Sequence, residues 1–88
     1  MRTLANREFL AKVKEHICYT ELVYQRVNKK LGVSLTPVEI EAMVQTVLTN
    51  SMSTIKKCGK NYYVTDEHHH IRLTINSFNF RLITVDNV

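Results

Sequence analysis

The sequence predicts an α+β fold: three N-terminal helices packed on one face of a C-terminal four-stranded antiparallel β-meander. Three observations support this fold class. Residues 71–76 (IRLTIN) alternate apolar and polar side chains, which is typical of a half-buried strand. Residues 36–39 (TPVE) combine a capping threonine, a proline and a glutamate, which together indicate a helix start. Helical patterns precede strand patterns along the chain, and this order is typical of α+β proteins.

Each of the three predicted helices has a recognisable boundary residue. We expect Asn6 to cap the first helix and Thr20 the second, with Gly32 as the residue that ends the second helix. Thr36 and Glu39 form a candidate capping box for the third helix. Apolar residues at helical spacing follow each cap: Phe9, Leu10, Val13 and Ile17, then Val23, Val27 and Leu31, then Ile40, Met43, Val44, Val47 and Leu48.

The second half of the chain predicts four strands, at about 54–58, 61–65, 71–76 and 79–85. Gly59-Lys60 is the first turn, residues 66–69 form a loop, and the last turn lies at Ser77-Phe78 or spans residues 76–79. The last turn places Ile75 opposite Phe80, Leu73 opposite Leu82 and Ile71 opposite Thr84. The other turns place Tyr63 opposite Arg72, Val64 opposite Ile71 and Lys56 opposite Tyr63. A shift by one residue would bring Arg81 onto the apolar face, so burial selects this hairpin register.

The composition indicates one domain over residues 1–88, with a helical part at about 5–50 and the meander at about 54–86. The chain has no apolar run of membrane-spanning length, and its N-terminus is too charged for a signal peptide. Cys18 and Cys58 are isolated in the sequence. A disulfide between them is one interpretation, but two free thiols in a reduced cytosol is the preferred one. We therefore expect a cytoplasmic protein, without a membrane partner and without a cofactor.

One sheet face collects polar side chains and is the candidate binding surface. These registers place seven residues on the face turned away from the core: Lys56, Tyr63, Arg72, Thr74, Asn76, Asn79 and Arg81. The simpler interpretation is a solvated face with cross-strand polar pairs. The functional interpretation is a basic platform with one aromatic ring, since arginines bind phosphates and aromatic rings stack on bases. The formal net charge of +4 mildly favours an anionic partner.

The run His68-His69-His70 stands beside two acidic residues. Three consecutive side chains in an extended chain cannot converge on one ion, because neighbours point to opposite faces. We therefore expect a solvated loop and assign no metal site. His70, expected near Tyr63 and Arg72, remains a candidate general base.

Three segments of the chain resemble a known family. ICYTELVYQRVNKKLG, GKNYYVT and IRLTINSFNFRLITVD are similar to the corresponding parts of a family of short proteins known as a domain of unknown function. The resemblance extends from about residue 17 to the end of the chain. It implies a small bacterial protein of Gram-positive type, from a mobile or phage-related region, and it supplies no functional residues.

The preferred function is a non-enzymatic binding module whose basic sheet face takes RNA, DNA or another protein. The first alternative is a small ribonuclease of the toxin type. In that alternative His70 or Lys56 would assist proton transfer, and Arg72 and Arg81 would stabilise charge on the phosphate. The second alternative is a protein inhibitor or adaptor, related to a phage or mobile element, that uses its helices. The sequence assigns no catalytic residue and leaves the oligomeric state open.

Overall fold

The computed structural model describes residues 3–50 and 52–88, with residues 3–6 described by backbone alone. The helices are α1 (Thr3–His16), α2 (Glu21–Leu31) and α3 (Pro37–Thr49). The strands are β1 (Thr54–Cys58), β2 (Asn61–Asp66), β3 (Ile71–Asn76) and β4 (Leu82–Asn87), and they form one antiparallel sheet in the order β1-β2-β3-β4. The predicted α+β fold class is confirmed.

The start of α3 is fixed by the predicted capping box. The Thr36 hydroxyl accepts a hydrogen bond from the Glu39 backbone N–H, and the Glu39 carboxylate accepts one from the Thr36 N–H, at 3.2 and 2.8 Å. Both N–H groups would otherwise lack a partner at the helix start. Pro37 occupies the first helical position, where its missing N–H costs nothing.

The other helix boundaries follow the sequence less closely. Gly32 ends α2 with φ of +68°, a left-handed conformation that glycine adopts without strain. Thr20 precedes α2 with an extended backbone, but its side chain makes no capping hydrogen bond. The prediction for α1 is wrong: the helix begins at Thr3, so Asn6 lies inside it. Leu4 and Ala5 are good helix formers, and they extend the helix ahead of the polar residue.

One hydrophobic core lies between the helices and one face of the sheet, here called the inner face. The buried apolar side chains come from every helix and from β2, β3 and β4: Leu10, Val13, Val23, Val27, Ile40, Val44, Val47, Leu48, Val64, Leu73, Ile75, Leu82 and Val85. The helical members are the residues whose spacing predicted an apolar stripe. Because one sheet face is buried, the polar residues of β2 and β3 alternate to the other face.

The β1–β2 pairing is the one that the sequence predicts, with Lys56 opposite Tyr63. The β2–β3 prediction is wrong by a shift of two residues: Tyr63 lies opposite Thr74 and Val64 opposite Leu73. The reason is that Asp66 belongs to β2, so the connecting turn spans residues 67–70. A shift of two keeps every side chain on its predicted face, because side chains alternate with a period of two.

The predicted register of the β3–β4 hairpin is also wrong. The observed pairs are Ile75 with Leu82, Leu73 with Val85 and Ile71 with Asn87, and the register is irregular between Thr74 and Ile75. The irregularity changes the face of β4: Val85 is buried on the inner face, where the sequence predicts Thr84. Thr84 instead pairs with Thr74 on the opposite face.

The loop before β4 explains this register. The Asn76 side-chain oxygen accepts hydrogen bonds from the N–H groups of Phe78 and Asn79, and its carbonyl accepts one from the Phe80 N–H. Phe80 has φ of +57°, and its ring packs at 6.2 Å from the Tyr62 ring and 5.3 Å from His16. Phe80 is therefore a loop residue that covers the end of the core, and β4 begins at Leu82 rather than at Asn79.

The start of β4 is also tied to the segment between the first two helices. The Cys18 N–H donates to the Phe80 carbonyl, and the Leu82 N–H donates to the Cys18 carbonyl, at 2.9 and 3.0 Å. Both Cys18 and Cys58 are free, exposed thiols. Within the described residues, no helix is both long enough and apolar enough to cross a bilayer.

The capping box yields a stability prediction. Replacing Thr36→Ala removes the hydroxyl that accepts the Glu39 N–H, and we expect the free energy of unfolding to fall by about 1 kcal/mol. Urea unfolding followed by circular dichroism measures the change. Ser34→Ala, which removes an exposed hydroxyl two residues earlier, serves as the control. Equal stability of both variants would contradict a stabilising cap.

Candidate nucleic-acid interface

The sheet face opposite the core, here called the outer face, is polar. Its residues alternate with those of the inner face along each strand. They are Thr54, Lys56 and Cys58 of β1, Asn61, Tyr63 and Thr65 of β2, Arg72, Thr74 and Asn76 of β3, and Thr84 and Asp86 of β4. The outer face therefore combines two basic side chains with one aromatic ring, several hydroxyl groups and one thiol.

A shallow depression of about 360 Å³ lies on the outer face across β1, β2 and β3. Its lining residues are Thr54, Lys56, Cys58, Tyr63, Thr65 and Arg72. Lys56 and Tyr63 are cross-strand neighbours, and Arg72 lies opposite Thr65 on the next strand. The fold thus brings together three of the seven side chains that the sequence predicts as a binding surface.

Hydrogen bonds orient the groups in this depression. The Arg72 Nε donates to the Thr65 hydroxyl at 3.2 Å, while the side chain stays exposed. The Asn61 Nδ2 donates to the Tyr63 hydroxyl at 3.5 Å. The Arg72 guanidinium is consequently directed across the strands toward β2, on the same side of the sheet as the Tyr63 ring.

Thr74 occupies the centre of the outer face but is hardly accessible. It lies between Tyr63 and Thr84 on the neighbouring strands, and only 7% of its surface is exposed. A ligand on this face would therefore meet the side chains around Thr74 rather than Thr74 itself. Its contribution is to the packing of the face.

Of the remaining three predicted residues, Asn76 ends β3 on the outer face, opposite Asn61, while Asn79 and Arg81 lie in the loop before β4. The side-chain oxygen of Asn76 holds the loop, and that of Asn79 accepts a hydrogen bond from the Arg81 N–H at 3.0 Å. Arg81 itself is exposed next to Asn76, whose N–H donates to the Arg81 carbonyl. Asn76 is four positions after Arg72 in β3, so Arg72 and Arg81 are about 13 Å apart along the sheet.

The three histidines form a turn rather than a convergent cluster. Residues 67–70 connect β2 to β3, and His70 has φ of +59°. The rings of His68 and His69 meet edge to face at 4.9 Å. Among the described residues, no group of three or more His, Cys, Asp or Glu side chains has a metal-binding arrangement. His70 lies beyond the end of β2, about 13 Å along the sheet from Tyr63, because it precedes Thr74, the partner of Tyr63, by four positions.

Asp66 organises this turn from inside the protein. Its carboxylate is 1% exposed and accepts hydrogen bonds from Asn50 Nδ2 at 3.0 Å and from the His69 N–H at 3.2 Å. The His69 Nδ1 lies 2.6 Å from the same carboxylate. Burial raises the pKa of Asp66, but the hydrogen bonds from Asn50 and His69 outweigh burial and lower the pKa below its ordinary value. Asp66 therefore joins the end of α3 to the β2–β3 turn.

The aromatic residues at the start of α2 serve the packing of α2 against α3. The Tyr24 hydroxyl donates to the Glu41 carboxylate at 2.6 Å, and this bond raises the pKa of Tyr24 to about 12. The Tyr19 ring stacks on the Tyr24 ring, with centroids 5.9 Å apart. These contacts account for the polar and aromatic character of this segment without an external partner.

Two groups of surface residues were missed by the sequence reasoning. Thr54, Cys58 and Thr65 line the depression, and the period of two in β1 and β2 was sufficient to find them. Arg26, Lys29 and Lys30 of α2 lie beside β4 near Thr84, where they line a depression of their own. Helical spacing shows that these three share one helix face, but no signal in the sequence places that face beside β4.

The chain belongs to a family whose model is described as a protein of unknown function, DUF3781, and which matches residues 11–86. The resemblance to such a family, which the sequence segments indicated, is thereby confirmed. No match was found among curated proteins or among solved structures. The chemistry of the outer face is therefore what indicates a function.

Asp66 yields a prediction about acid stability. Folding lowers the pKa of the Asp66 carboxyl below its ordinary value of 3.8, so the ionised carboxylate stabilises the folded state at higher pH. This stabilisation is lost as the pH falls through the lowered pKa of the folded state. We expect Asp66→Asn to reduce the free energy of unfolding at neutral pH by roughly 1–3 kcal/mol. We also expect it to flatten the pH dependence of stability below about pH 4.

Urea unfolding from pH 2 to pH 7 measures both effects. Glu67→Gln changes an exposed carboxyl in the adjacent turn and serves as the control. If Asp66→Asn and Glu67→Gln give the same acid dependence as the unmodified protein, Asp66 does not stabilise the fold through its charge.

Proposed function

We propose that this protein is a non-enzymatic module that binds single-stranded nucleic acid, with its outer face as the contact surface. The observation that carries the proposal is the depression in which Lys56, Tyr63 and Arg72 surround one shared space. Its position on a sheet face, rather than in a closed cavity, suits an extended ligand. The net charge of +4 suits a polyanion.

Each of the three side chains has a role in this proposal. The Arg72 guanidinium presents several N–H donors in a plane, which matches phosphate oxygens. Lys56 adds a second cation on a neighbouring strand. The Tyr63 ring offers a face on which an unpaired base can stack, and stacking of this kind is tolerant of sequence. A base in a duplex is already stacked on its neighbours, so a single strand fits this surface better than a duplex.

The placement of the basic residues favours binding over the ribonuclease alternative. That alternative requires Arg72 and Arg81 to stabilise charge on one phosphate, yet they are about 13 Å apart along the sheet. His70 is also about 13 Å along the sheet from the Lys56–Tyr63 pair, because it precedes Thr74, the partner of Tyr63, by four positions. A surface that binds an extended nucleic-acid strand does not need its basic side chains to meet at one phosphate.

The test is a salt-dependent titration of a fluorescent single-stranded RNA oligomer with the unmodified protein and with Lys56→Ala/Arg72→Ala. Each phosphate contact on a single strand contributes about 0.7 to the slope of log affinity against log salt. We therefore expect the double variant to lower the slope by about 1.4, which corresponds to roughly 25-fold weaker binding at 0.1 M salt.

The matched control is Lys57→Ala/Arg7→Ala, which removes the same two charge types elsewhere. Lys57 follows Lys56 in β1 and points to the other side of the sheet, and Arg7 is exposed on α1. A loss of affinity that is equal in both double variants would show that net charge, rather than the outer face, governs binding. RNA cleavage is followed in the same samples by gel electrophoresis, and cleavage that Arg72→Ala abolishes would contradict the non-enzymatic proposal.

A further inference from the structure

A second group of basic side chains lies along the seam between α2 and β4. The Arg26 Nη1 donates to the Ile83 carbonyl at 3.4 Å, and the Lys30 Nζ lies 3.2 Å from the Asp86 Oδ1. A depression of about 570 Å³ between these elements is lined by Arg26, Lys29, Lys30 and Thr84. Because Arg26, Lys29 and Lys30 follow one another at helical spacing, they form one basic face of α2.

Arg81 extends this group toward the start of β4. It lines a neighbouring depression of about 240 Å³ together with Arg26. We call the four residues Arg81, Arg26, Lys29 and Lys30 the basic seam. Arg81, just ahead of β4, is five positions from Asp86, the partner of Lys30, so the basic seam covers about 16 Å along the chain.

The basic seam and the outer face meet at β4. Thr84, which lines the seam, lies opposite Thr74, and Asp86 lies opposite Arg72. Thr84 and Asp86 lie on the outer face, whereas α2 packs against the core on the inner side, so the basic seam follows the edge of the sheet at β4 and adjoins the outer face there. Asp86 stands at their junction, with Arg72 on the neighbouring strand and Lys30 on the helix.

The cations of the basic seam are incompletely neutralised. Lys30 has Asp86 as its ion-pair partner, whereas Arg26, Lys29 and Arg81 form no ion pair with any residue that the structure describes. Like charges at neighbouring positions on a helix repel one another. A ligand that supplies several negative charges in a row would relieve this repulsion along the whole seam.

We propose that the basic seam is the second part of the binding surface and holds the phosphate backbone of the same single strand. In the free protein Asp86 holds Lys30, and in the complex a phosphate replaces the Asp86 carboxylate as the partner of Lys30. This inference rests on the proposed function, because the strand that reaches the seam is the one bound at the outer face. It adds the path of the strand, from Lys56 and Arg72 past Asp86 to Arg81.

The first test compares Arg26→Ala/Lys29→Ala with the unmodified protein. The probe is an unstructured RNA oligomer of about 12 nucleotides, within the range that one small domain covers. We expect the salt slope to fall by about 1.4 and the affinity to fall roughly 25-fold at 0.1 M salt. Arg7→Ala/Lys14→Ala on α1 removes the same charge types and should change binding much less. Since Arg26 contacts β4, Lys29→Glu provides a second variant that leaves this contact intact.

The second test is Asp86→Asn, which removes the carboxylate between the two basic regions. We expect the affinity to rise about fivefold at 0.1 M salt, because the phosphate then no longer has to displace the Asp86 carboxylate from Lys30. Glu8→Gln on α1 removes one exposed negative charge at a distance and is the control. An Asp86→Asn variant that binds no more tightly than Glu8→Gln would overturn the partner exchange.

The outcomes separate this inference from the proposed function. If Lys56→Ala/Arg72→Ala weakens binding but the two seam variants bind as the unmodified protein does, the inference is wrong and the proposed function stands. If the seam variants weaken binding and the outer-face variant does not, the outer-face proposal is wrong. If the unmodified protein binds no oligomer at low or physiological salt, both are wrong, and a protein partner becomes the better explanation of the basic seam.

Discussion

Burial of the inner sheet face is the constraint on which the rest of the structure depends. Val64, Leu73 and Val85 are inaccessible to solvent on three adjacent strands, and the helices cover them with their own apolar stripes. Because side chains alternate along a strand, burying these residues forces their neighbours onto the outer face. Lys56, Tyr63 and Arg72 are therefore displayed together as a consequence of how the core is built.

Two groups of side-chain hydrogen bonds, around Asp66 and around Asn76, stabilise the ends of this core. Asp66 is buried, and its hydrogen bonds from Asn50 and His69 offset the cost of removing a carboxylate from water. Asn76 stabilises the loop before β4 and so allows Phe80 to cover the end of the core. Polar residues that sequence reasoning assigned to loops or to a binding face thus serve the fold.

The position of α2 beside β4 creates the basic seam. Val23 and Val27 anchor the helix in the core, while Arg26 and Lys30 reach the backbone and the carboxylate of β4. The helix therefore adds its cations to a sheet that carries few of its own. A surface composed in this way extends over two elements and suits a ligand that is long, flexible and negatively charged.

The fold class, the helix stripes and the faces of β1, β2 and β3 follow from the sequence, because hydrophobic periodicity is a local property. The capping box of α3 and Gly32 are local as well, and both were predictable. The registers of the β2–β3 and β3–β4 pairs could not be predicted, because each register depends on the residue at which the connecting turn ends. The end of the turn before β4 depends on the hydrogen bonds of the Asn76 side chain. The end of β2 depends on the hydrogen bond between Asp66 and Asn50 at the end of α3.

Some residues of the candidate surface could likewise be predicted from local alternation, and others could not. Lys56, Tyr63 and Arg72 keep their predicted face even though one register is displaced, because a shift of two residues preserves alternation. Arg81 could not be placed from the sequence, because the irregularity in the β3–β4 pairing depends on how Phe80 packs. The closeness of α2 to β4 is a long-range contact between residues more than fifty positions apart. Only tertiary packing could decide it, since no local pattern encodes which strand a helix will lie beside.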